Sequence, residues 1–225
     1  QGNSEITSFD EFKYFTGVSK LDSGAFQNFT ALKSISLPSS LSYMPWGAFK
    51  GCSSLESINN DLSLITWTGG GNWFEGCASL KGIIRINADI LNNEGCFFNC
   101  SSLEGIVLSD KVLTIGNKVF QGCGAKINIP AKVKILKNSA FRECPNLTEI
   151  DIPDTIQTME WGVFYGSFNI ARAIVRAVTP PSLADEVFGN SYSYPIYVPD
   201  ESLPAYKMAT NWSKLSSRLK PLSSL

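Results

Sequence analysis

Apolar residues return along this chain in one fixed order, with fixed numbers of polar residues between them. The clearest stretch is Asn138-Ser139-Ala140-Phe141-Arg142-Glu143-Cys144-Pro145-Asn146-Leu147-Thr148-Glu149-Ile150-Asp151-Ile152-Pro153, which reads A-F-x-x-C-x-x-L-x-x-I-x-I-P. Earlier copies run from Ala25-Phe26 to Leu37-Pro38, and from Ala48-Phe49 through Cys52 and Leu55 to Ile58. The anchor phenylalanines are Phe26, Phe49, Phe74, Phe97, Phe120, Phe141 and Phe164, with a degenerate Phe188, at steps of 23, 25, 23, 23, 21, 23 and 24 residues. Self-similarity at such a period predicts a solenoid. One unit cannot bury its apolar face alone, so neighbours stack and share one continuous core.

Within a unit the pattern changes period. Leu147 to Ile152 mixes inward and outward residues as a short strand does, and Pro153 ends it because proline has no N–H for the ladder. Ile156-Gln157-Thr158-Met159 predicts a second short extended segment. A polar-Gly or polar-Asn turn follows, then one helical turn carrying Val163-Phe164. The predicted fold is therefore α/β: a curved, parallel β-sheet solenoid of short strands and helical turns, with non-repeat caps at both ends. One domain spans 1–225, with a helical cap over 1–20, repeats over 21–190 and a strand-and-helix cap over 191–225.

The ends and the irregular units refine this picture. Ser8-Phe9-Asp10-Glu11 reads as a capping box, and Phe9, Phe12 and Phe15 would share one side of a short helix over the open end of the core. Ile196-Tyr197-Val198-Pro199 predicts a last strand. Asp200 or Ser202 would cap a helix through Tyr206 and Met208, with Trp212, Leu215, Leu219 and Leu222 covering the C-terminal end. The unit from Phe49 to Phe74 is two residues long, and its excess falls in Ile65–Trp73, where Gly69, Gly70 and Gly71 predict a bulged loop flanked by tryptophans. After Cys123 the unit is two residues short. Gly124-Ala125-Lys126-Ile127 replaces x-x-L-x-x-I there, so one core leucine is missing.

Composition narrows the function classes. Lys+Arg is 19 and Asp+Glu is 20, so no basic excess points to nucleic acid or to an electrostatic membrane anchor. No apolar run approaches the roughly 20 residues of a spanning helix. The chain has no histidine, which removes the commonest general base and transition-metal ligand. It carries no G-x-S-x-G and no P-loop, and the adjacent Asp185 and Glu186 read as solvated. No catalytic, cofactor-binding or metal-binding residue is expected. Five of the six cysteines, Cys52, Cys77, Cys100, Cys123 and Cys144, stand three residues after an anchor, and Cys96 takes the small-residue slot before Phe97. That placement predicts a column of buried thiols rather than a disulfide framework or a zinc knuckle. The abrupt start at Gln1-Gly2-Asn3 reads as a mature or trimmed fragment.

In its A-F-x-x-C-x-x-L-x-x-I-x-L-P units, as in Ala48-Phe49-Lys50-Gly51-Cys52-Ser53-Ser54-Leu55-Glu56-Ser57-Ile58, the chain resembles the BspA-type leucine-rich repeat family of bacterial surface proteins. The closing Ile196-Tyr197-Val198-Pro199 and the Ala205-Tyr206-Lys207 to Asn211-Trp212 run also look like the end common in that family. The resemblance covers roughly residues 15 to 222. It implies a leucine-rich repeat solenoid that is exported, displayed on the cell surface or secreted, and active in adhesion. It brings no catalytic residues. Ser167, where cysteine is expected, departs from the pattern.

Two residue sets are candidates for partner binding. The residue after each strand isoleucine should face outward, forming a column of Ser36, Asn59, Ile84, Val107, Asn128 and Asp151. Of these, Ile84 and Val107 would make an apolar patch, unless they only reflect the strand preference of β-branched residues. Trp46 and Trp161 stand three residues before an anchor, where other copies carry solvent-facing residues, and Trp67 and Trp73 flank the glycine loop. All four could anchor a protein partner or stack on sugar rings, or instead pack between coils. The expected function is a non-enzymatic binding module that engages a host or neighbouring-cell protein through its sheet face. Glycan binding and a structural spacer are the alternatives.

Overall fold

The computed structural model describes residues 2–60, 62–67, 70–87, 91, 93–189 and 192–225. Its strands are short and recur in coils. The first coils carry β1 Ser8–Phe9, β2 Ser34–Ile35, β3 Tyr43–Met44, β4 Ser57–Ile58, β5 Thr66–Trp67 and β6 Ile83–Ile86. The middle coils add β7 Gly105–Leu108, β8 Thr114–Ile115, β9 Lys126–Ile127, β10 Ile135–Leu136, β11 Glu149–Ile152 and β12 Thr158–Met159. The last are β13 Arg172–Val175, β14 Ser182–Leu183, β15 Ile196–Val198 and β16 Leu219–Pro221. Pairing is parallel and follows the repeat, as in Ser34↔Ser57 and Glu149↔Arg172. The main face carries three sheets, β1-β2-β4, β6-β7-β9 and β11-β13-β15-β16, and a second face carries β3-β5 and β14-β12-β10-β8.

The core follows from stacking. Each anchor ring lies on the next: centroids are 5.3 Å apart for Phe26–Phe49, 5.9 Å for Phe97–Phe120 and 5.2 Å for Phe120–Phe141. The six cysteines are free and buried. Four of their thiols reach the carbonyl of the anchor one coil back: Cys52 to Phe26 at 2.9 Å, and Cys77 to Phe49, Cys100 to Phe74 and Cys144 to Phe120 at 3.1 Å. The Ser167 hydroxyl donates to the Phe141 carbonyl in the same way, at 2.9 Å. Ser167 thus keeps the donor that the repeat requires, which explains why the column tolerates it.

The anchor segments are runs of turns, not the helical turns expected. Residues two before and two after each anchor hold positive φ, as at Gly47 (φ 60) and Gly51 (φ 75) around Phe49. A right-handed helix cannot pass through two left-handed residues. Most of these slots hold Gly or Asn, but Lys118 holds φ 54 and Glu143 holds φ 56. Lys118→Gly should therefore raise stability by about 0.5–1 kcal/mol, the left-handed strain less the extra chain entropy of glycine. A urea midpoint that does not rise would refute this, since the exposed Lys118–Glu94 pair at 3.4 Å contributes little.

The predicted caps form differently in detail. Ser8 lies in β1, paired with Ser34, and a 3-10 helix spans Asp10–Tyr14 without a side-chain cap. Asp10 instead accepts hydrogen bonds from Ser34 Oγ at 3.1 Å, Ser36 Oγ at 3.0 Å and Asn59 Nδ2 at 3.4 Å. A strand partner outcompetes the local box. Phe9 stacks on Phe12 at 5.0 Å and Phe12 meets Phe26 at 5.7 Å, while Phe15 stays exposed. At the other end the one α-helix among the described residues, α1 Leu203–Met208, also lacks a side-chain cap. The Tyr206 hydroxyl donates to Ala177 O at 2.7 Å and Trp212 Nε1 to Pro181 O at 2.8 Å.

Candidate binding surfaces

The outward column of the main face is not the one predicted. Register pairs Ile84 with Ile106 and Arg85 with Val107. Gly82, at φ 78, lets one extra residue enter before β6. A slip of one residue reverses every side chain of a strand. Ile84 is consequently buried at 6 % exposure, while Ile83 is 61 % and Val107 44 % exposed. Ser36 is buried under Asp10 and stands beside Asn59, whose Nδ2 is 3.3 Å from the Ser36 hydroxyl. Past the interruption, Arg85 is in register with Val107. Asp151 is exposed and binds Arg176 in bidentate fashion at 2.7 Å for both contacts.

The 25-residue and 21-residue units coincide with the two interruptions of the main face among the described residues. Between β4 and β6 lies an opening of about 240 Å³. Between β9 and β11 lies a larger one, about 510 Å³, lined by Ile127, Ile129, Phe141, Leu147, Ile150 and Phe164, with Glu149, Asp151, Asp154 and Arg176 around it. Gly124 and Ala125 cut the corner between Cys123 and β9. Gly124 is pressed so close to the preceding coil that a Cβ would stand 2.1 Å from Ser101 O. The shortcut draws β9 toward β7, with Lys126 N donating to Glu104 O at 3.0 Å. Among the described residues no backbone hydrogen bond joins β9 to β11. Side chains tie these coils beyond both strand ends: Asn146 Nδ2 donates to Gly124 O at 2.8 Å, and Thr155 Oγ1 lies 2.7 Å from Ala131 O. Meanwhile β8, β10 and β12 stay paired on the second face. The coils therefore open as a wedge, on the main face only.

The tryptophans divide into two pairs. Trp67 and Trp73 are 3 % and 0 % exposed, which removes them as contact anchors. Trp67 takes the inward position of β5, in register with Met44, and Trp73 fills the slot before Phe74 where other coils place Ala, Val or Cys. Their rings meet at 4.8 Å. Of the predicted glycine loop, Thr68 and Gly69 lie outside the described residues. Trp46 and Trp161 are 39 % and 43 % exposed. Trp46 has the Lys50 ammonium 5.6 Å from its ring.

Trp161 belongs to a larger surface. It lies 6.0 Å from Tyr165 at an interplanar angle of 23°, and the Arg142 guanidinium sits 5.6 Å and 5.1 Å from these two rings. Tyr165 continues to Tyr192 at 6.4 Å, and Tyr192 to Phe168 at 5.5 Å. Phe168 is 79 % exposed. The Tyr192 hydroxyl accepts the Gly166 N–H at 2.8 Å, pinning this ring across the coil. Sequence reasoning missed Tyr165, Phe168 and Tyr192. The spacing 161, 165, 168 around one anchor was a usable signal for the first two, but only coil stacking brings Tyr192 alongside.

Comparison with known proteins agrees with this geometry. The BspA type leucine rich repeat region matches residues 4–125 and 70–195, in six copies. The chain belongs to the BspA-type leucine-rich repeat family. No curated protein sequence matches it. The solved structures it resembles include a leucine-rich repeat protein from Bacteroides ovatus ATCC 8483, at 24% identity and TM-score 0.60 over 81% of this chain. Another is a leucine rich cell surface protein from Faecalibacterium prausnitzii A2-165, at 19% identity and TM-score 0.60 over 82%. The BspA-type chain spans 53% and 59% of those two proteins. The likeness establishes the fold, one that typically serves as a binding scaffold. No helix among the described residues is long and apolar enough to cross a membrane.

Proposed function

We propose that this BspA-type domain is a non-catalytic binding module of a surface-displayed or secreted bacterial protein, adhering to a protein of a host or neighbouring cell. The observation that carries this reading is the Trp161–Tyr165–Tyr192–Phe168 surface, its outer rings Trp161 and Phe168 exposed and the two tyrosines half-buried, with Arg142 stacked on it. Trp, Tyr and Arg dominate binding energy at protein interfaces, because large rigid rings lose little entropy on docking and bury much area. The main sheet face would add area rather than anchors, since Val107, Asn59 and Asp151 supply no aromatic ring. Surface location is supported by the family and by the described location of the Faecalibacterium protein.

The test is binding to immobilised extracellular-matrix proteins. A Trp161→Ala/Phe168→Ala variant should lose roughly 30-fold in affinity, the effect of about 2 kcal/mol, with an unchanged thermal midpoint. Equal binding by that variant would rule out this surface. The near-parallel Trp161 and Tyr165 rings also favour a second reading, stacking on a sugar face, which a glycan array separates from the first.

A further inference from the structure

We infer that the wedge between β9 and β11 is a second binding site, for an extended peptide that inserts a bulky apolar side chain followed by a lysine or arginine. It lies apart from the aromatic surface and does not depend on it.

Three features of the wedge select this ligand. Its depth is apolar: the opening is floored by Phe141, Ile150 and Phe164, each 1–2 % exposed. Leu147 lines it half-buried, whereas Leu32, Leu55, Leu80 and Leu103 are 0–2 % exposed, because Ala125 stands where a leucine would cover it. A cavity near 500 Å³ lined this way takes a large apolar side chain and is in the size range of ligand pockets.

Its walls are unpaired backbone. In a parallel ladder alternate residues serve opposite neighbours. Arg176 N donates to Ile152 O, so Ile150 and Ile152 face β13, and the N–H and C=O groups of Glu149 and Asp151 face the gap. Lys126 faces β7, so those of Ile127 face it from the other side. Amide groups inside a sheet ordinarily find partners. A peptide backbone offers the matching donors and acceptors, and a lipid or a simple hydrocarbon does not.

Its rim is acidic. Glu149, Asp151 and Asp154 stand against Arg172 and Arg176. Arg172 pairs with Glu149 and Arg176 with Asp151, which leaves the Asp154 carboxylate in excess at the mouth. A cation one residue beyond the inserted side chain would meet it. The bonds from Asn146 and Thr155 close the wedge beyond both strand ends, so a short extended segment fits between them but a long strand cannot run through.

The probes are acetyl-Ala-Phe-Lys-Ala-amide and acetyl-Ala-Phe-Glu-Ala-amide, titrated to millimolar concentration into ¹⁵N-labelled protein. The lysine peptide should shift amides within 127–131 and 147–154, and bind at least five-fold more tightly than the glutamate peptide. Asp154→Asn should erase most of that preference. Ala131→Trp, a change at the exposed rim, should block both peptides with the fold intact. The Trp161→Ala/Phe168→Ala variant should bind the lysine peptide as wild type does, which separates this site from the aromatic one. Absence of shifts at the wedge, equal affinity for the two peptides, or undiminished binding in Ala131→Trp would each overturn the inference.

Discussion

Phe120→Ala is expected to destabilise the protein by about 3–5 kcal/mol, near the upper end for a core truncation. The ring is fully buried between Phe97 and Phe141, at 5.9 and 5.2 Å. Removing it leaves a cavity whose cost depends on how far the walls can collapse. They cannot collapse far, because this coil is tied to both neighbours, Phe97 N donating to Val119 O at 2.8 Å and Phe120 N to Ala140 O at 2.9 Å. The leucine rung of that coil is already reduced to Ala125. In a repeat array each coil is stabilised mainly by its neighbours, so a weak central coil also uncouples the two halves. Trp67 and Trp73 report the N-terminal half and Trp212 the C-terminal half. The variant should therefore unfold in two steps by fluorescence, where the wild type unfolds in one. A loss below about 1.5 kcal/mol, with a single coincident transition, would show that the ladder is not the main source of cohesion.

The second large effect is alkaline. Burial pushes the Cys52 thiol up to about 11 and the Cys96 and Cys123 thiols up to about 12, and also holds Cys77, Cys100 and Cys144 well above the ordinary thiol range. In the unfolded chain these thiols ionise near 9. The folded pKa is the higher one, so the folded state keeps its protons while the unfolded state releases them. Stability is thus unaffected below pH 9 and falls as pH rises toward the folded values. Each thiol contributes about 1.4 kcal/mol per pH unit in that window. Six thiols acting together remove most of a typical stability of about 5–15 kcal/mol before pH 11. Urea denaturation at steps from pH 7 to 10.5 reads this slope. Replacing Cys77 and Cys100 by serine, the residue the protein itself uses at 167, should reduce the slope by about a third. A flat profile to pH 10.5, or rapid reaction of native thiols at pH 8, would contradict the buried column.

Much of this architecture was legible in the residue order. The Phe, Leu, Ile and Cys positions repeat because every coil needs the same inward groups, and their spacing is a local property of the chain. The errors arose where a residue's role depends on its neighbours. Counting six residues from Cys77 lands on Ile83, and only Gly82's left-handed turn moves the core position to Ile84. The glycine loop beside Trp67 and Trp73 points to exposed rings, but Trp67 turns inward because β5 is aligned by Met44 from the coil before, and Trp73 fills the buried slot before Phe74. The capping box at Ser8 gave way to a strand partner 26 residues away.

Sequence by itself therefore determined the coil, the parallel stack, the buried thiol and phenylalanine ladders, and the two places where regularity would fail. These follow from periodicity, since a repeated apolar face has one way to be buried. Tertiary structure alone decided what each failure becomes. Two missing residues after Cys123 could have been absorbed by a flattened turn. Because β8, β10 and β12 hold the second face together, the strain opens the main face instead, and Tyr192 reaches Tyr165 only by the same stacking of one coil on the next.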